Sequence, residues 1–195
     1  EKTKKDELVK DNSSNKEVYV RIPNLEIRNC FKNDIQKRFD DVVKKDNLAL
    51  NIANSLLEGN VDFVQNKLGP LLRSFVSIRD NATKAPHENF YHGFLNGIFT
   101  NCKDNLGEYH SNCESGDGYP DILFKDIDSR KVAIIEIKSA PIGSDIETLS
   151  EKAISQINDK NYAEPLISNK TVKDIYGYGI AFAGKSCSIS VKKIK

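Results

Sequence analysis

The chain has 195 residues, of which 38% are hydrophobic and 29% are charged. This length and composition predict a globular protein with one ordinary domain, a buried core and a helical extension. With 29 Lys and Arg against 28 Asp and Glu, the formal net charge is only +1, which excludes an overall basic field. Any site for nucleic acid must therefore be a local patch.

Several absences narrow the class of protein further. No apolar run approaches the length of a membrane span and no apolar signal segment opens the chain, which predicts a cytoplasmic protein without a membrane partner. The cysteines contain no Cys-x-x-Cys pair, which argues against a zinc site and against a disulfide framework. The chain contains no methionine, and we therefore expect it to be a segment of a longer protein.

The first 80 residues predict a helical extension behind a polar start. Residues 1–17 are almost entirely polar and predict a linker or a frayed helix. Residues 18–24 alternate apolar and polar side chains as an edge strand does, until Pro23 ends the pattern. Apolar steps of three and four predict helices over 25–43, 46–57 and 63–78. We expect Asp62 to cap the third helix and Gly69-Pro70 to bend or split it.

The remaining residues alternate helical and strand patterns. A helix over 86–104 carries Glu88 and His92 four residues apart on one flank. A strand, a turn and a strand follow, then the strand KVAIIEIKSA, a helix over about 145–158 and two closing strands. This order predicts an α/β or α+β domain around a mixed sheet. The predicted organisation is a linker over 1–17, a helical extension over 18–80 and a core over 81–195.

Two charges interrupt the apolar strand KVAIIEIKSA. Side chains alternate along a strand, so Glu136 and Lys138 share one side and Ile137 points the other way. Isolated charges in a core are costly, so these two must face solvent, pair with each other or surround an ion. Asp121, on the adjacent strand of a predicted hairpin, could lie beside Glu136, and two such carboxylates repel unless a divalent cation lies between them. Carboxylate oxygens select Mg²⁺ or Mn²⁺ over zinc, and a neighbouring lysine can hold a water or steady charge on a phosphate.

Short motifs around these residues carry a family resemblance. "YPDILF" and "EIK", with 14 residues between Asp121 and Glu136, resemble the PD-(D/E)xK nuclease signature. "HENFYHGFLNGIF" resembles the first core helix of that fold, and "EKAISQINDKNYAEPL" resembles the helix that supplies a glutamine and a tyrosine in the RecB-like branch. Over roughly residues 18–190 the chain is similar to the C-terminal nuclease domain of certain bacterial AAA-ATPase-like proteins. Related modules occur in toxins of toxin–antidote operons.

The resemblance implies a fold and a set of metal ligands. The fold is restriction-endonuclease-like, with a mixed central sheet flanked by helices. Asp121 and Glu136 would bind the catalytic Mg²⁺ or Mn²⁺ with the backbone carbonyl of Ile137, and His92 or Glu88 would complete the shell. His92 by itself is more often a structural histidine, and Glu88 near a helix N-terminus favours the helix dipole.

It also implies roles around the metal. Lys138 would position the attacking water or stabilise the pentacovalent phosphate. Gln156 and Tyr162 would contact the substrate or brace the site, although the Gln-x5-Tyr spacing is longer than in RecB-like proteins. Glu114 would support the site or hold a second metal, and Ser115 would let a phosphate approach.

Three functions are compatible with these patterns. The first is an active, metal-dependent deoxyribonuclease, with RNA open as a substrate, in the bacterial cytoplasm or in a host cell if the protein is a secreted effector. The second is a catalytically silent nuclease-like module that binds nucleic acid or a protein. The third is an interaction module bound by a cognate antidote, or by an ATPase or other domain of the same full-length protein. Convergence of Asp121, Glu136, Lys138 and Gln156 in one cleft would favour the first over the third.

Overall fold

The computed structural model describes residues 7–10, 17–20, 25–76 and 87–195, and it divides the chain into two compact units. The first unit is Glu1–Val42 and the second is Val43–Lys195. No helix in the described ranges is both long enough and apolar enough to cross a membrane.

The first unit contains a strand pair and most of a long helix. Strand β1 (Glu7–Lys10) pairs antiparallel with β2 (Glu17–Val20), and helix α1 spans Leu25–Lys44. The frayed helix expected as one alternative over 1–17 is therefore wrong for residues 7–10, where Leu8 and Val9 are paired with apolar partners on β2. The assignment of 1–17 as a linker stays a prediction. Helix α1 agrees with the helix predicted over 25–43. Pro23, expected to end the edge strand, lies outside the described residues.

Two further helices open the second unit. After a 3-10 turn at Lys45–Asn47, α2 spans Leu48–Leu57 and α3 spans Val61–Phe75. The side chain of Asn60 accepts a hydrogen bond from the backbone N–H of Phe63 at 3.2 Å, so the cap is Asn60 and the expectation of Asp62 was wrong. Pro70 lies inside α3 without splitting it.

A five-stranded mixed sheet forms the centre of the second unit. Its strands lie in the order β3-β4-β5-β6-β7, and β5 and β6 are parallel while the other neighbours are antiparallel. The strands span Glu108–Ser111, Ile122–Lys125, Lys131–Ser139, Asp174–Ala183 and Ser186–Lys193. Helix α4 (His87–Thr100) precedes the sheet, and α5 (Ile146–Asp159) and the short α6 (Glu164–Ile167) connect the parallel strands. Apart from α6, the sequence predicted each of these elements.

Helices cover both faces of the sheet. The Tyr178 hydroxyl donates to the Leu56 carbonyl on α2 at 2.5 Å, whereas a Cβ at Gly179 would overlap the Ser150 carbonyl oxygen on α5. Because neighbouring residues on a strand point to opposite faces, α2 and α5 lie on opposite sides. The ring of Tyr91 on α4 stacks on Phe182, on the same face as Tyr178, with centroids 4.4 Å apart. The predicted α+β fold, a mixed sheet flanked by helices, is confirmed.

Helices α2 and α3 belong to the same compact unit as the sheet. Their residues Ile52, Leu56 and Leu72 are completely buried, and α3 packs against β7. The domain boundaries at residues 17 and 80 stay a prediction, but the structure groups this part of the expected extension with the core.

Candidate active site

Asp121 and Glu136 face each other across two antiparallel strands. Ile122 pairs with Ile135, and one further step of this register places Asp121 opposite Glu136. The Asp121 carboxylate, through Oδ2, accepts a hydrogen bond from the backbone N–H of Ile137 at 2.7 Å. The register therefore brings together the two carboxylates that the sequence placed on neighbouring strands.

Glu136 is a buried carboxylate whose two oxygens differ in their contacts. The residue is 3% exposed. Its Oε1 accepts a hydrogen bond from Lys138 Nζ at 2.9 Å and another from Gln156 Nε2. Its Oε2 is buried and has no hydrogen-bond partner within the described residues. Such an atom loses its hydration without compensation, which costs free energy unless a cation or a donor fills the place.

Three carboxylates at this site have raised pKa values. Burial raises the pKa of Glu136 to about 7, and the negative charges of Asp121 and Glu88 add to the rise against the lowering effect of Lys138. Burial also raises the pKa of Asp121, despite the hydrogen bond from Ile137. The pKa of Glu88 is raised mainly by burial and further by Asp121. A positive charge placed among them would lower all three pKa values.

Lys138 supplies a cation beside these carboxylates. Burial would lower its pKa, but the hydrogen bond to Glu136 and the charges of Glu136, Glu88 and Asp121 outweigh burial, so the pKa is raised. The lysine is therefore protonated at neutral pH. Its side chain is 23% exposed, against 4% for the Glu136 side chain, so the ammonium lies toward the solvent side of the pair.

Helix α5 and the turn that follows it bring Gln156 and Tyr162 close to Glu136. The Asp145 carboxylate caps the helix by accepting from the backbone N–H groups of Glu147 and Thr148, both at 3.1 Å. Near the other end, Gln156 Nε2 contacts Glu136 and lies 3.4 Å from the hydroxyl of Tyr162. Tyr162 follows the helix and is 2% exposed. Burial raises its pKa, and the charges of Glu136 and Asp121 contribute. Both side chains thus reach the site despite the longer spacing.

His92 lies behind Asp121 in a polar network. Its Nε2 is 3.1 Å from the backbone carbonyl oxygen of Asp121 and 3.0 Å from Ser111 Oγ. Asn96 Nδ2 lies 3.1 Å from His92 Nε2 and donates to Ser111 Oγ at 3.2 Å, and the Tyr109 hydroxyl donates to Asn96 Oδ1. The ring of His92 therefore supports the main chain at Asp121. Its role as a metal ligand stays a prediction.

The remaining candidates differ in their surroundings. Ser115 is buried, and its hydroxyl donates to the Tyr162 carbonyl at 2.7 Å, so this hydroxyl is engaged within the protein. Glu114 is exposed to solvent. Phosphate contact by Ser115 and support of the site by Glu114 stay predictions.

Sequence reasoning missed Asn96, Tyr109 and Ser111. The four-residue step from His92 to Asn96 places both on one helix face, and this signal could have indicated the pair. Tyr109 and Ser111 reach the network through the β3–β4 pairing, which a local pattern does not show.

The donors present fit a hard divalent cation. Within the described ranges, no three His, Cys, Asp or Glu side chains converge closely enough to form a metal cage by themselves. Mg²⁺, however, keeps several waters and is commonly held by one or two carboxylates together with substrate oxygens. Glu136 Oε2, unpartnered among the described residues, belongs to a carboxylate that interacts electrostatically with Asp121 and Glu88, and it provides such an oxygen donor.

Comparison with known proteins agrees with this geometry. A family model described as the PD-(D/E)XK nuclease superfamily matches residues 86–192, more than half of the chain. The matched segment includes Asp121, Glu136, Lys138 and Gln156, the four residues that the fold brings together. A comparison with curated proteins found no match. The chain belongs to the PD-(D/E)XK nuclease superfamily.

Proposed function

We propose that the protein is a Mg²⁺- or Mn²⁺-dependent nuclease that hydrolyses phosphodiester bonds of DNA. The observation that carries the proposal is the environment of the buried Glu136, which lies opposite Asp121. Its carboxylate accepts hydrogen bonds from Lys138 and Gln156, and its other oxygen has no partner among the described residues. A purely structural strand pair gains nothing from an unpartnered buried carboxylate oxygen. Membership of a nuclease superfamily supports the same conclusion.

The carboxylates would hold the metal ion. We assign Asp121 and Glu136 as its protein ligands, with the backbone carbonyl of Ile137 as a further candidate. Both Glu88 and His92 are electrostatically coupled to Asp121. We favour Glu88 as the ligand from α4, because hard divalent cations prefer oxygen donors and His92 Nε2 already lies against a backbone carbonyl. When bound, a divalent cation polarises the scissile phosphate and lowers the pKa of a water.

The other residues of the site would orient the nucleophile, stabilise charge on the phosphate and hold Glu136 in place. The protonated Lys138 donates one hydrogen bond to Glu136 and has two further N–H groups for a water or a phosphate oxygen. It can thus guide the nucleophile or stabilise charge that develops on the phosphate. Gln156 fixes the Glu136 carboxylate, and Tyr162 supports Gln156.

The substrate and setting are part of the proposal. DNA is favoured over RNA because most proteins that the chain resembles cut DNA. The RecB-like branch, a bacterial cytoplasmic location and a role as one domain of an ATPase-linked or toxin protein are supported by the sequence resemblance alone. A cognate antidote is a candidate partner on the same basis.

The test is cleavage of linear, circular and single-stranded DNA and of RNA, with Mg²⁺, with Mn²⁺ and with EDTA. We expect the wild type to cut DNA only with metal and Lys138→Ala to lose at least about 100-fold in rate. Lys125→Ala is the matched control, because Lys125 is also ion-paired, with Glu108 at 2.8 Å, but lies at the opposite end of β4 from Asp121. A folded wild type that binds DNA or a protein but cuts nothing would favour the catalytically silent module.

A further inference from the structure

The β3–β4 hairpin continues beyond its strands toward a tight tip. The backbone N–H of Asn112 donates to the Asp121 carbonyl at 3.0 Å, and an isolated bridge joins Ser115 and Gly118. Both contacts keep the register of the Ser111–Ile122 pair. The hairpin tip, residues 115–118, is therefore a continuous extension of the arm that begins at Asp121.

The hairpin tip is anchored to the turn that follows α5. The backbone N–H of Asp117 donates to the Lys160 carbonyl at 2.8 Å, and Asn161 Nδ2 donates to the Asp117 carboxylate at 2.7 Å. Gly116 has φ of +61°, and a Cβ there would overlap the Asn161 carbonyl oxygen, so only glycine permits this approach. These contacts hold the tip in one position.

The tip is also continuous with the catalytic residues. A Cβ at Gly118 would lie 3.2 Å from the ring of Tyr162. The hydroxyl of Tyr162 lies 3.4 Å from Gln156 Nε2, which contacts Glu136. A group placed on the tip is thus in a fixed relation to the metal-binding carboxylates.

Tyr119 is an exposed aromatic residue on this anchored arm. It is 61% exposed and makes no ring contact or hydrogen bond within the described residues. It lies between Gly118 and the buried Pro120, two residues before Asp121. Two residues of chain span at most about 7 Å, so the backbone of Tyr119 lies within that distance of the backbone of Asp121.

A lysine lies beside the same arm. The stem of Lys160 passes Gly118, with its Cδ 3.8 Å from where a Cβ would be, and the residue is exposed. Its ammonium forms no ion pair within the part of the chain that the structure describes. An exposed ring and an exposed cation therefore both adjoin Gly118, on the anchored arm that leads to Asp121.

We propose that Tyr119 stacks on an unpaired base of the substrate and that Lys160 contacts an adjacent phosphate, so that the enzyme acts on single-stranded DNA or on single-stranded ends. The inference rests on the proposed nuclease function. Bases within a duplex are stacked on their neighbours and offer no free face, whereas single-stranded bases stack readily on exposed aromatic rings. Because the arm is held in place and tyrosine has few rotatable bonds, stacking costs little conformational entropy.

The first experiment reads stacking directly and requires no turnover. The chain contains no tryptophan, so Tyr119→Trp introduces a single indole fluorophore at the arm. We expect its emission to be quenched by a single-stranded oligonucleotide in EDTA, and much less by a duplex or by the same strand with abasic positions. The control is Ile127→Trp, because Ile127 is 67% exposed and lies in the β4–β5 turn, at the opposite end of β4 from Asp121. Equal quenching of the two variants, or equal quenching of Tyr119→Trp by duplex and single strand, would overturn the proposal.

The second experiment measures affinity. Stacking is worth about 1–3 kcal/mol per base, so Tyr119→Ala should weaken single-strand binding by about 5- to 140-fold, while Tyr119→Phe should bind like the wild type. Lys160→Gln should reduce the slope of log affinity against log salt by about 0.7. Unchanged single-strand affinity in Tyr119→Ala would contradict the stacking role.

The two proposals fail in different ways. If the wild type cuts nothing but the fluorescence of Tyr119→Trp is quenched by single strands, the nuclease function is wrong and the binding inference stands. If the wild type cuts duplex and single-stranded DNA equally and Tyr119→Ala changes neither rate, the nuclease function stands and the stacking inference is wrong.

Discussion

Asp121 holds the backbone of Ile137 through its side chain, with Oδ2 2.7 Å from the amide nitrogen. The same carboxylate that we assign to the metal therefore also joins the start of β4 to β5. A substitution at this position changes both the chemistry and the strand pairing, and the two effects can be separated.

Asp121→Ala and Asp121→Asn should differ in stability but agree in activity. The alanine variant leaves the Ile137 N–H without its acceptor, which should lower the free energy of unfolding by about 1–3 kcal/mol. The asparagine variant keeps an acceptor oxygen and should stay within about 0.5 kcal/mol of the wild type. Both should lose metal-dependent cleavage. Urea unfolding in EDTA measures the first effect, and equal stabilities of the two variants would show that the hydrogen bond contributes little.

Glu136 should make the metal-free protein less stable as the pH rises. Its pKa is raised from the ordinary 4.5 to about 7, so the folded state binds the proton more tightly than the unfolded state. The stabilisation is complete below pH 4.5 and is lost as the pH rises through about 7, a change of about 3 kcal/mol. Glu136→Gln should remove this part of the pH dependence and be more stable than the wild type at about pH 8 in EDTA.

The measurement is the urea midpoint of wild type and Glu136→Gln at about pH 5 and about pH 8, on either side of the raised pKa. Glu151→Gln is a charge-matched control, since Glu151 is an exposed residue of α5. If the difference between wild type and Glu136→Gln is the same at both pH values, the buried carboxylate titrates normally. Adding Mg²⁺ should stabilise the wild type and Glu151→Gln but not Glu136→Gln.

Substitutions of Glu88 and of His92 should change the metal dependence of cleavage in different ways. Glu88→Gln removes a carboxylate from the metal's surroundings and should raise the Mg²⁺ concentration for half-maximal cleavage by about tenfold or more. His92→Ala should lower the maximal rate but leave that concentration within about threefold, because His92 Nε2 supports the Asp121 carbonyl. A metal titration of cleavage rate checks both. A large shift in His92→Ala alone would restore the histidine as the ligand.

A truncated chain of residues 43–195 should fold, whereas a truncated chain of residues 81–195 should not. The shorter chain loses α2 and α3, which exposes the face of β6 that contains Tyr178 and leaves its hydroxyl without the Leu56 carbonyl. We expect cooperative thermal unfolding by circular dichroism for 43–195 and none for 81–195. Equal cooperativity of the two chains would support the boundary predicted at residue 80.

The sequence alone indicated the sheet and its charged strand. Alternation around Glu136 and Lys138 showed that both point to one side, and the apolar residues around them showed that the strand is buried. Local patterns also gave the helix that supplies Gln156, because periodicity and capping depend on residues close together in the chain. The family motifs lie in these same segments, which is why the superfamily was recognisable.

Helix caps and short strands were harder to predict from the sequence. Asn60 and Asp62 are both good caps, and the structure selects Asn60 through the position of the Phe63 N–H. The strand at Glu7–Lys10 has only two apolar residues, and its extended conformation comes from pairing with β2. Short polar segments of this kind have no periodicity of their own to read.

The tertiary structure decided what each polar group contacts. The hydroxyl of Ser115 donates to the carbonyl of Tyr162, 47 positions along the chain, and His92 lies against the carbonyl of Asp121. The sequence indicated the candidate site residues and the strands and helices on which they lie, because local patterns follow from nearest neighbours. Only the fold determined that Glu136 Oε2 is buried without a partner among the described residues and that Tyr119 remains exposed, because both depend on segments distant in the chain.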